Sequence, residues 1–140
     1  MQTVESSVPR GELAVRQLAM PAHTNPGGNI FGGWIMASMD AAAAMATTRY
    51  IEGPAVTVAV SEMVFIAPVK VGDSVCFYAD LKRMGRTSLT LDVEVWVLRQ
   101  GRGDRVKVTA AEFTFVAVDE AGRPRQISAG LSQNGAAPPG

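Results

Sequence analysis

The sequence has almost none of the residues that build disulfides or metal centres, and it carries no net charge of either sign. It contains one cysteine and one histidine among 140 residues, and 13 basic side chains are balanced by 13 acidic ones. Cys76 cannot form an internal disulfide, which is typical of a reducing compartment. Without a net positive field, neither nucleic acid nor a membrane surface is an expected partner. We therefore expect a cytoplasmic protein.

Long apolar runs are also missing, apart from residues 30–46. That stretch is at the short limit for a bilayer span and carries Asp40 near its middle, so we interpret it as a helix buried inside the protein. The amino terminus has no basic segment followed by an apolar one, and no secretory signal is expected. With 47% apolar and 19% charged residues, the chain suits one domain with one core.

Glycine and proline divide the chain into one strand, one long loop, one helix and four further strands. The loop, residues 21–33, is long enough to suggest a functional segment. Alanine and methionine favour a helix from Trp34 to about Tyr50, and its nearly all apolar or small faces predict burial on every side. The predicted strands, rich in β-branched residues, are 12–18, 55–65, 74–83, 88–99 and 106–118.

Short turns between the last four strands predict a β-meander and an antiparallel sheet wrapped around the helix, which is an α+β fold. In the strand that begins at Ser88, alternating apolar residues predict one covered face and one wet face. We assign residues 8–125 to a single domain and expect a flexible tail at 129–140, which is rich in small residues, glycine and proline.

Several common catalytic motifs are absent. The sequence has no G-x-S-x-G elbow and no pair of cysteines or histidines to bind a metal. The run GGNIFGG is followed by Trp34, where a phosphate loop needs lysine. Serine esterase, metal and nucleotide triphosphate chemistry are therefore not expected.

Asp40 is the most informative residue because it lies in the middle of the apolar helix. Burying an unpaired carboxylate costs several kcal/mol or raises its pKa. One interpretation is structural, with the carboxylate paired to an arginine or acting as a cap. The other is a general base or nucleophile at a dry site, and we favour it because perturbed carboxylates cluster at functional sites.

Gly32 and Gly33 stand where this helix begins. A helix N-terminus presents unpaired N–H groups and a partial positive charge, and glycine lets a ligand approach them, so the N–H near Gly33 suits an oxyanion hole. At about 1.5 Å per residue, Asp40 lies about 10 Å along the axis from Gly33. A close contact between helix and sheet is an equally good explanation of the two glycines.

Other polar residues have a structural and a functional interpretation each. Asn25 could simply form an Asx-turn, His23 could be solvated or bonded within a turn, and Cys76 is expected to be an inert strand thiol. Two basic clusters are either solvated loops or sites for the phosphates of a ligand such as coenzyme A. The first contains Lys82, Arg83 and Arg86 beside Thr87 and Ser88, and the second contains Arg99, Arg102, Arg105 and Lys107.

The run AMPAHTNPGGNIFGGWIMASMD, which ends at Asp40, resembles the signature of the acyl-CoA thioesterases of the hotdog fold, most closely the single-domain bacterial YciA type. The later runs VTVAVSEMVFIAPVKVGD, MGRTSLTLDVEVWV and AEFTFVAVDEAGRPR are similar to the same family, so the resemblance covers about residues 12–125. It implies a long central helix wrapped by a five-stranded antiparallel sheet, with two chains paired into a double-hotdog dimer. Trimers of such dimers are usual among these relatives.

The same resemblance implies hydrolysis of fatty acyl-CoA to free fatty acid and CoA, with CoA as part of the substrate and no other cofactor. Asp40 would be the general base or nucleophile, Asn25 would come from the partner subunit, and the N–H near Gly33 would polarise the carbonyl. The turn Arg86, Thr87 and Ser88 would contact the CoA moiety, with Lys82 and Arg83 nearby. His23 departs from several relatives, where a carboxylate is often found.

Two other functions remain open. A hotdog hydratase or dehydratase acting on enoyl or hydroxyacyl thioesters would recruit His23 with a carboxylate. A non-catalytic acyl-CoA binding module would use the fold alone, since one fold hosts many functions. Acyl chain length is expected to depend on packing around Met36, Met39 and Met63.

Overall fold

A computed structural model describes residues 8–99 and 103–127. Five antiparallel strands form one sheet in the order β1-β3-β4-β5-β2, and the single α-helix packs against one of its faces. The predicted tail at 129–140 lies outside the described residues. The elements are β1 (Glu12–Leu18), a 3-10 turn (Pro21–His23), α1 (Gly32–Thr47), β2 (Ala55–Phe65), β3 (Ser74–Met84), β4 (Ser88–Leu98) and β5 (Val106–Ala117).

The strands agree with the sequence prediction to within a residue, whereas the helix is displaced toward the amino terminus. It begins at Gly32 and ends at Thr47, not at Trp34 and Tyr50. At its end the hydroxyls of Thr47 and Thr48 donate to the carbonyls three residues before them, at 2.7 Å each. The N–H of Tyr50 likewise bonds to the carbonyl three residues back. The α-helical pattern therefore tightens into turns after Thr47.

The prediction of a four-stranded meander is wrong for β2. Only β3, β4 and β5 follow one another in the sheet, while β2 pairs with β5 and forms an edge. The connection after β2 starts beside β5, where the N–H of Ile66 donates to Val108 O, and ends beside β1, where the N–H of Gly72 donates to Ala19 O. This crossover lets β3 lie on the far side of the sheet from β2.

Strand β2 leaves an apolar edge exposed. Val56, Val58 and Val60 are between 41% and 55% exposed along it. The pairing register with β5 shifts between Ser61 and Val64, where Glu62 adopts a φ of 59°. A β-bulge therefore interrupts the strand near its end.

The helix is buried on one face only, so the expectation of burial on every side is wrong. Its inner face packs on the sheet through residues that include Ile35, Met39 and Ala43. Met36 and Met45 are 42% and 59% exposed on the other side. Alanine and methionine are apolar enough for burial, but the described part of the chain offers only one surface to cover them.

The core lies between α1 and the inner face of the sheet. The covered face predicted for β4 is observed, because its apolar residues at alternate positions are fully buried. The predicted wet face is wrong, because no residue of β4 is exposed and Thr90 and Trp96 on the other face are buried. The outer face of the sheet carries ion pairs and a small cluster of Cys76, Tyr78 and Trp96. Cys76 is buried there, and its Sγ accepts a hydrogen bond of 3.3 Å from Arg16 Nε.

A buried carboxylate fixes the crossover between β2 and β3. Asp73 is 1% exposed, and its Oδ2 accepts hydrogen bonds from Arg99 Nη1 at 2.6 Å and from the N–H of Lys70 at 2.9 Å. Arg99 also donates to Pro68 O at 3.1 Å. The pair therefore ties the crossover to the end of β4.

Replacing Asp73 by alanine is expected to lower the free energy of unfolding by about 2–4 kcal/mol, because it leaves a partly buried guanidinium and a backbone N–H without their acceptor. Urea unfolding followed by circular dichroism measures the loss. The matched control Glu120→Ala removes an exposed carboxylate and should stay within about 0.5 kcal/mol of the wild type. Equal losses in the two variants would contradict this assignment.

Candidate functional site

Asp40 lies at the border between the buried and exposed faces of α1. It is half-buried, and its Oδ1 accepts a hydrogen bond of 2.6 Å from Thr57 Oγ1 on the edge strand β2. The expectation of a fully buried, unpaired carboxylate is therefore wrong. The partner is a neutral hydroxyl, not an arginine, so it orients the carboxylate without neutralising its charge. Sequence reasoning missed Thr57, because a threonine in a strand carries no signal of its own.

Asn25 closes the loop that precedes the helix. Its Oδ1 accepts the N–H of Asn29 at 3.1 Å, and its own N–H donates to Asn29 O at 2.7 Å. The N–H of Gly28 donates to Asn25 O at 3.0 Å. The turn-forming interpretation of Asn25 is thus observed, and this bond leaves the amide NH₂ group of the side chain uncommitted to the turn.

His23 packs against the first turn of the helix. Its ring stacks on Trp34 with centroids 4.9 Å apart and planes 23° apart. Its carbonyl accepts the N–H of Phe31 at 2.8 Å. Nδ1 is buried and has no hydrogen-bond partner among residues 8–99 and 103–127. His23 is half-buried and its backbone N–H donates to Met20 O at 3.0 Å, so the interpretation as a residue bonded within a turn is observed and the solvated one is not. Its ring packs the loop against the helix.

The helix begins without a side-chain cap. Phe31 occupies the N-cap position, and its carbonyl accepts the N–H groups of Trp34 and Ile35. Within the described ranges, no hydrogen bond uses the N–H of Gly32 or Gly33. A side chain at Gly33 would meet no atom within 4 Å, whereas one at Gly32 would lie 3.4 Å from the Phe65 ring. The contact at Gly32 is an ordinary van der Waals distance and Gly33 has open space, so a close helix–sheet contact explains neither glycine among the described residues.

One chain does not bring the predicted catalytic residues together. The Asn25 loop and Gly33 lie at the start of α1, joined by the bond between His23 and Phe31. Asp40 follows Gly33 by two helical turns, about 10 Å along the axis. That separation is far longer than the hydrogen bonds of 2.6–3.2 Å that acid–base catalysis requires.

The five residues predicted to bind CoA fall into two groups. Lys82 Nζ pairs with Glu112 on the outer face of the sheet, and Arg83 Nη2 lies 3.8 Å from the same carboxylate. The hydrogen bond from Lys82 lowers the pKa of Glu112, with Lys82 and Arg83 charges adding to it. The second group, Arg86, Thr87 and Ser88, forms the turn between β3 and β4.

Backbone bonds hold that turn in place. The carbonyl of Arg86 accepts the N–H of Ile127 at 2.8 Å, and the carbonyl of Thr87 accepts the N–H of Ala117 at 2.8 Å. The Arg86 side chain remains exposed. In the second basic cluster, Arg99 is bound to Asp73, and Lys107 lies 3.6 Å from Glu94. Arg105 is exposed, and Arg102 lies outside the described residues.

Among the described residues, no three or more histidine, cysteine, aspartate or glutamate side chains are grouped to hold a metal ion. No helix there has the length and apolar character to cross a bilayer.

Comparison with known proteins decides the family. Residues 27–110 match the profile of the thioesterase superfamily. The chain belongs to this superfamily. This thioesterase-superfamily chain is 46% identical over 128 residues to the acyl-CoA thioester hydrolase YciA of Salmonella typhimurium, covering 89% of the chain and 96% of the relative.

The chain is also similar to solved structures of hotdog proteins. Cj0915 of Campylobacter jejuni, described as a hexameric hotdog fold thioesterase, superposes with a TM-score of 0.79 at 39% identity, covering 84% of this chain and 91% of the other. An aspartate-to-alanine mutant of HI0827, a hexameric broad specificity acyl-coenzyme A thioesterase, superposes with a TM-score of 0.81 at 49% identity and coverages of 84% and 87%. The predicted hotdog fold and family are therefore confirmed.

Proposed function

We propose that this chain is an acyl-CoA thioester hydrolase that converts a fatty acyl-CoA and water into a free fatty acid and CoA. The observation that carries the proposal is Asp40, a carboxylate held by Thr57 at 2.6 Å on the border of an apolar, partly open helix face. The functions in the names of the chain's relatives support it. The buried single thiol, Cys76, suits a reducing cytoplasm.

The active site is shared between two subunits. The exposed apolar edge of β2 suits pairing with a second copy of the same edge, which places a two-fold axis beside the exposed face of α1. If that axis passes between Met36 and Ala37, the two helices run antiparallel and Asp40 of one lies opposite Gly33 of the partner subunit. The Asn25 loop of the partner subunit then stands at the same place, and the 10 Å gap within one chain disappears.

Hydrolysis follows from this arrangement. In one route Asp40 takes a proton from water as the water oxygen attacks the thioester carbon. In the other, Asp40 attacks that carbon itself and expels the CoA thiolate, and water then hydrolyses the resulting acyl-aspartyl anhydride and supplies the proton that the thiolate takes up. The carbonyl oxygen gains negative charge and is stabilised by the N–H of Gly33 of the partner subunit and by the positive end of its helix. Asn25 of the partner subunit positions the nucleophile or the carbonyl. The carbon–sulfur bond then breaks, and the CoA sulfur receives the proton.

We infer that such dimers assemble further into a trimer of dimers, as hexameric relatives at 39% and 49% identity suggest. Size-exclusion chromatography with light scattering tests the assembly. An active monomer would contradict the shared site.

Release of a free thiol from acyl-CoA is the experiment that tests the reaction. The wild-type protein is expected to release one thiol for each acid formed. Loss of enoyl absorbance without thiol release, abolished by His23→Ala, would instead establish a hydratase. Binding of CoA in calorimetry with no turnover at any chain length would establish a binding module.

Arg86 is proposed to bind the CoA phosphates, with hydroxyls from Thr87 and Ser88, because it is exposed on a turn that backbone bonds hold in place. Arg86→Ala is expected to raise KM for acyl-CoA about tenfold. Acyl-pantetheine, which lacks the nucleotide, should show a much smaller change. Arg123→Ala, on another exposed turn, is the matched control. Equal changes in KM for both substrates would contradict the assignment.

A further inference from the structure

Lys70 joins the crossover between β2 and β3 to the loop that precedes α1. Its Nζ donates to Asn29 Oδ1 at 3.2 Å. Beside it in the crossover, Val69 O accepts the N–H of Ile30 at 2.9 Å. The loop is therefore attached to the crossover by two neighbouring bonds, one from the backbone and one from a charged side chain.

The crossover is a firm support for this bond because the buried Asp73 closes the turn that Lys70 begins. The backbone N–H of Lys70 donates to Asp73 Oδ2 at 2.9 Å, and the N–H of Asp73 donates to Lys70 O at 3.0 Å. Asp73 is held in turn by Arg99 at the end of β4, at 2.6 Å. The backbone of Lys70 therefore has a fixed place beside the sheet, while its exposed side chain reaches the loop.

Asn29 transmits this restraint to Asn25. The N–H of Asn29 donates to Asn25 Oδ1 at 3.1 Å, and its carbonyl accepts the N–H of Asn25 at 2.7 Å. Because Oδ1 of Asn25 faces the turn, the NH₂ group of the same amide faces away from it. The position of Asn29 therefore sets the direction in which that NH₂ group can donate.

We propose that Lys70 is a positioning residue that holds the Asn25 amide in its place in the active site, an inference that rests on the proposed function. In that function, Asn25 serves the site whose Asp40 belongs to the partner subunit. Lys70 of one subunit therefore supports catalysis by Asp40 of the partner subunit without touching the substrate. A hydrogen bond from a charged donor is stronger than one between neutral groups, which suits the restraint of an exposed loop.

Replacing Lys70 by methionine removes the donor and keeps the backbone bond to Asp73. In thiol release from acyl-CoA, kcat should fall about fivefold with little change in KM, because a misplaced amide weakens transition-state binding more than substrate binding. Lys70→Arg keeps a charged donor and should stay within about twofold of the wild type. Arg123→Met removes a cation from another exposed turn and is the matched control, with kcat expected to be unchanged.

The same substitution in a protein without the Asn25 amide separates positioning from other roles. Asn25→Ala alone should lower kcat at least about tenfold. In that background, Lys70→Met should lower kcat by less than about twofold more, because no amide is left to position. An equal loss from Lys70→Met in both backgrounds would overturn the inference. So would a higher KM at unchanged kcat, which would place Lys70 in contact with the substrate.

Amide hydrogen exchange of the loop gives a readout that does not depend on turnover. In Lys70→Met, residues 25–29 should exchange faster than in the wild type, and the turn at residues 119–123 should not change. If Lys70→Met does not fold, Asn29→Ala removes the other partner of the bond, keeps both backbone groups that contact Asn25, and should give the same results. Unchanged loop exchange would overturn the inference. Wild-type protein that releases no thiol at any chain length would overturn the proposed function, whether or not the loop responds to Lys70.

Discussion

Asp40→Asn is expected to lower kcat for thioester hydrolysis by two to four orders of magnitude, the range that a general base contributes. Asparagine has the same shape as aspartate, and its carbonyl oxygen can still accept the hydrogen bond from Thr57. The amide cannot take a proton from water or act as a nucleophile. The loss should therefore fall on kcat, with little change in KM and in the melting temperature.

Two further variants separate the role of the charge from the role of its position. Thr57→Val removes the bond that orients the carboxylate and should cost about tenfold, since an unoriented base still works in some of its conformations. Asp80→Asn replaces a carboxylate on β3, a strand that does not contact Asp40 by any hydrogen bond among the described residues, and should leave turnover unchanged. If Asp40→Asn turned over acyl-CoA as fast as the wild type, Asp40 would have no catalytic role.

Two inactive variants are expected to restore activity when they assemble together. Gly33→Pro removes the N–H proposed to stabilise the carbonyl oxygen, and proline is tolerated in the first turn of a helix. Alone it should lower kcat by about a hundredfold or more. A mixed dimer of Gly33→Pro with Asp40→Asn contains one intact site, formed by Asp40 of the first chain and Gly33 of the second.

Random pairing of equal amounts makes half of the dimers mixed, with one working site in two, so about a quarter of wild-type activity should return. The two variants are co-expressed in equal amounts with different tags, thiol release is measured on the whole mixture, and a two-tag pull-down shows that mixed assemblies have formed. Two differently tagged copies of Asp40→Asn serve as the control and should stay inactive. A mixture as inactive as its parents would place Asp40 and Gly33 of one chain in the same site.

The strands could be predicted from the sequence because their signal is local. In β4, apolar residues at every second position mark the inner face whatever its neighbours are, and the bounds of β2 follow from the proline before it and the proline three residues after it. The position of β2 in the sheet could not be predicted in this way. It depends on the crossover, which is fixed by Asp73 and Arg99, two residues far apart in sequence.

The exposed face of the helix shows a second limit of prediction from the sequence. The apolar character of Met36 and Ala37 predicts a surface that avoids water, but both residues are exposed in the described chain. Composition does not tell whether such a surface meets its own sheet or another copy. Asp40 could be predicted as a site residue from the sequence because a carboxylate among alanines is unusual. Its partner Thr57 could not, since a threonine in a strand is ordinary. The hydrogen bond between Thr57 and Asp40 depends on the position of β2 beside α1, which the local sequence pattern does not predict.

The bulge at Glu62 limits the length of regular apolar edge that a single chain exposes on β2. A long, straight apolar edge can recruit strands from any chain and grow into an aggregate. Here the register shift between Ser61 and Val64 interrupts the regular pairing with β5, and the charged residue Glu62 lies at the interruption. The opposite edge of the sheet is β1, and its polar residues Glu12, Arg16 and Gln17 disfavour pairing with another strand. The described part of the chain therefore exposes one apolar edge segment on β2, which the same segment of the partner subunit proposed above would cover.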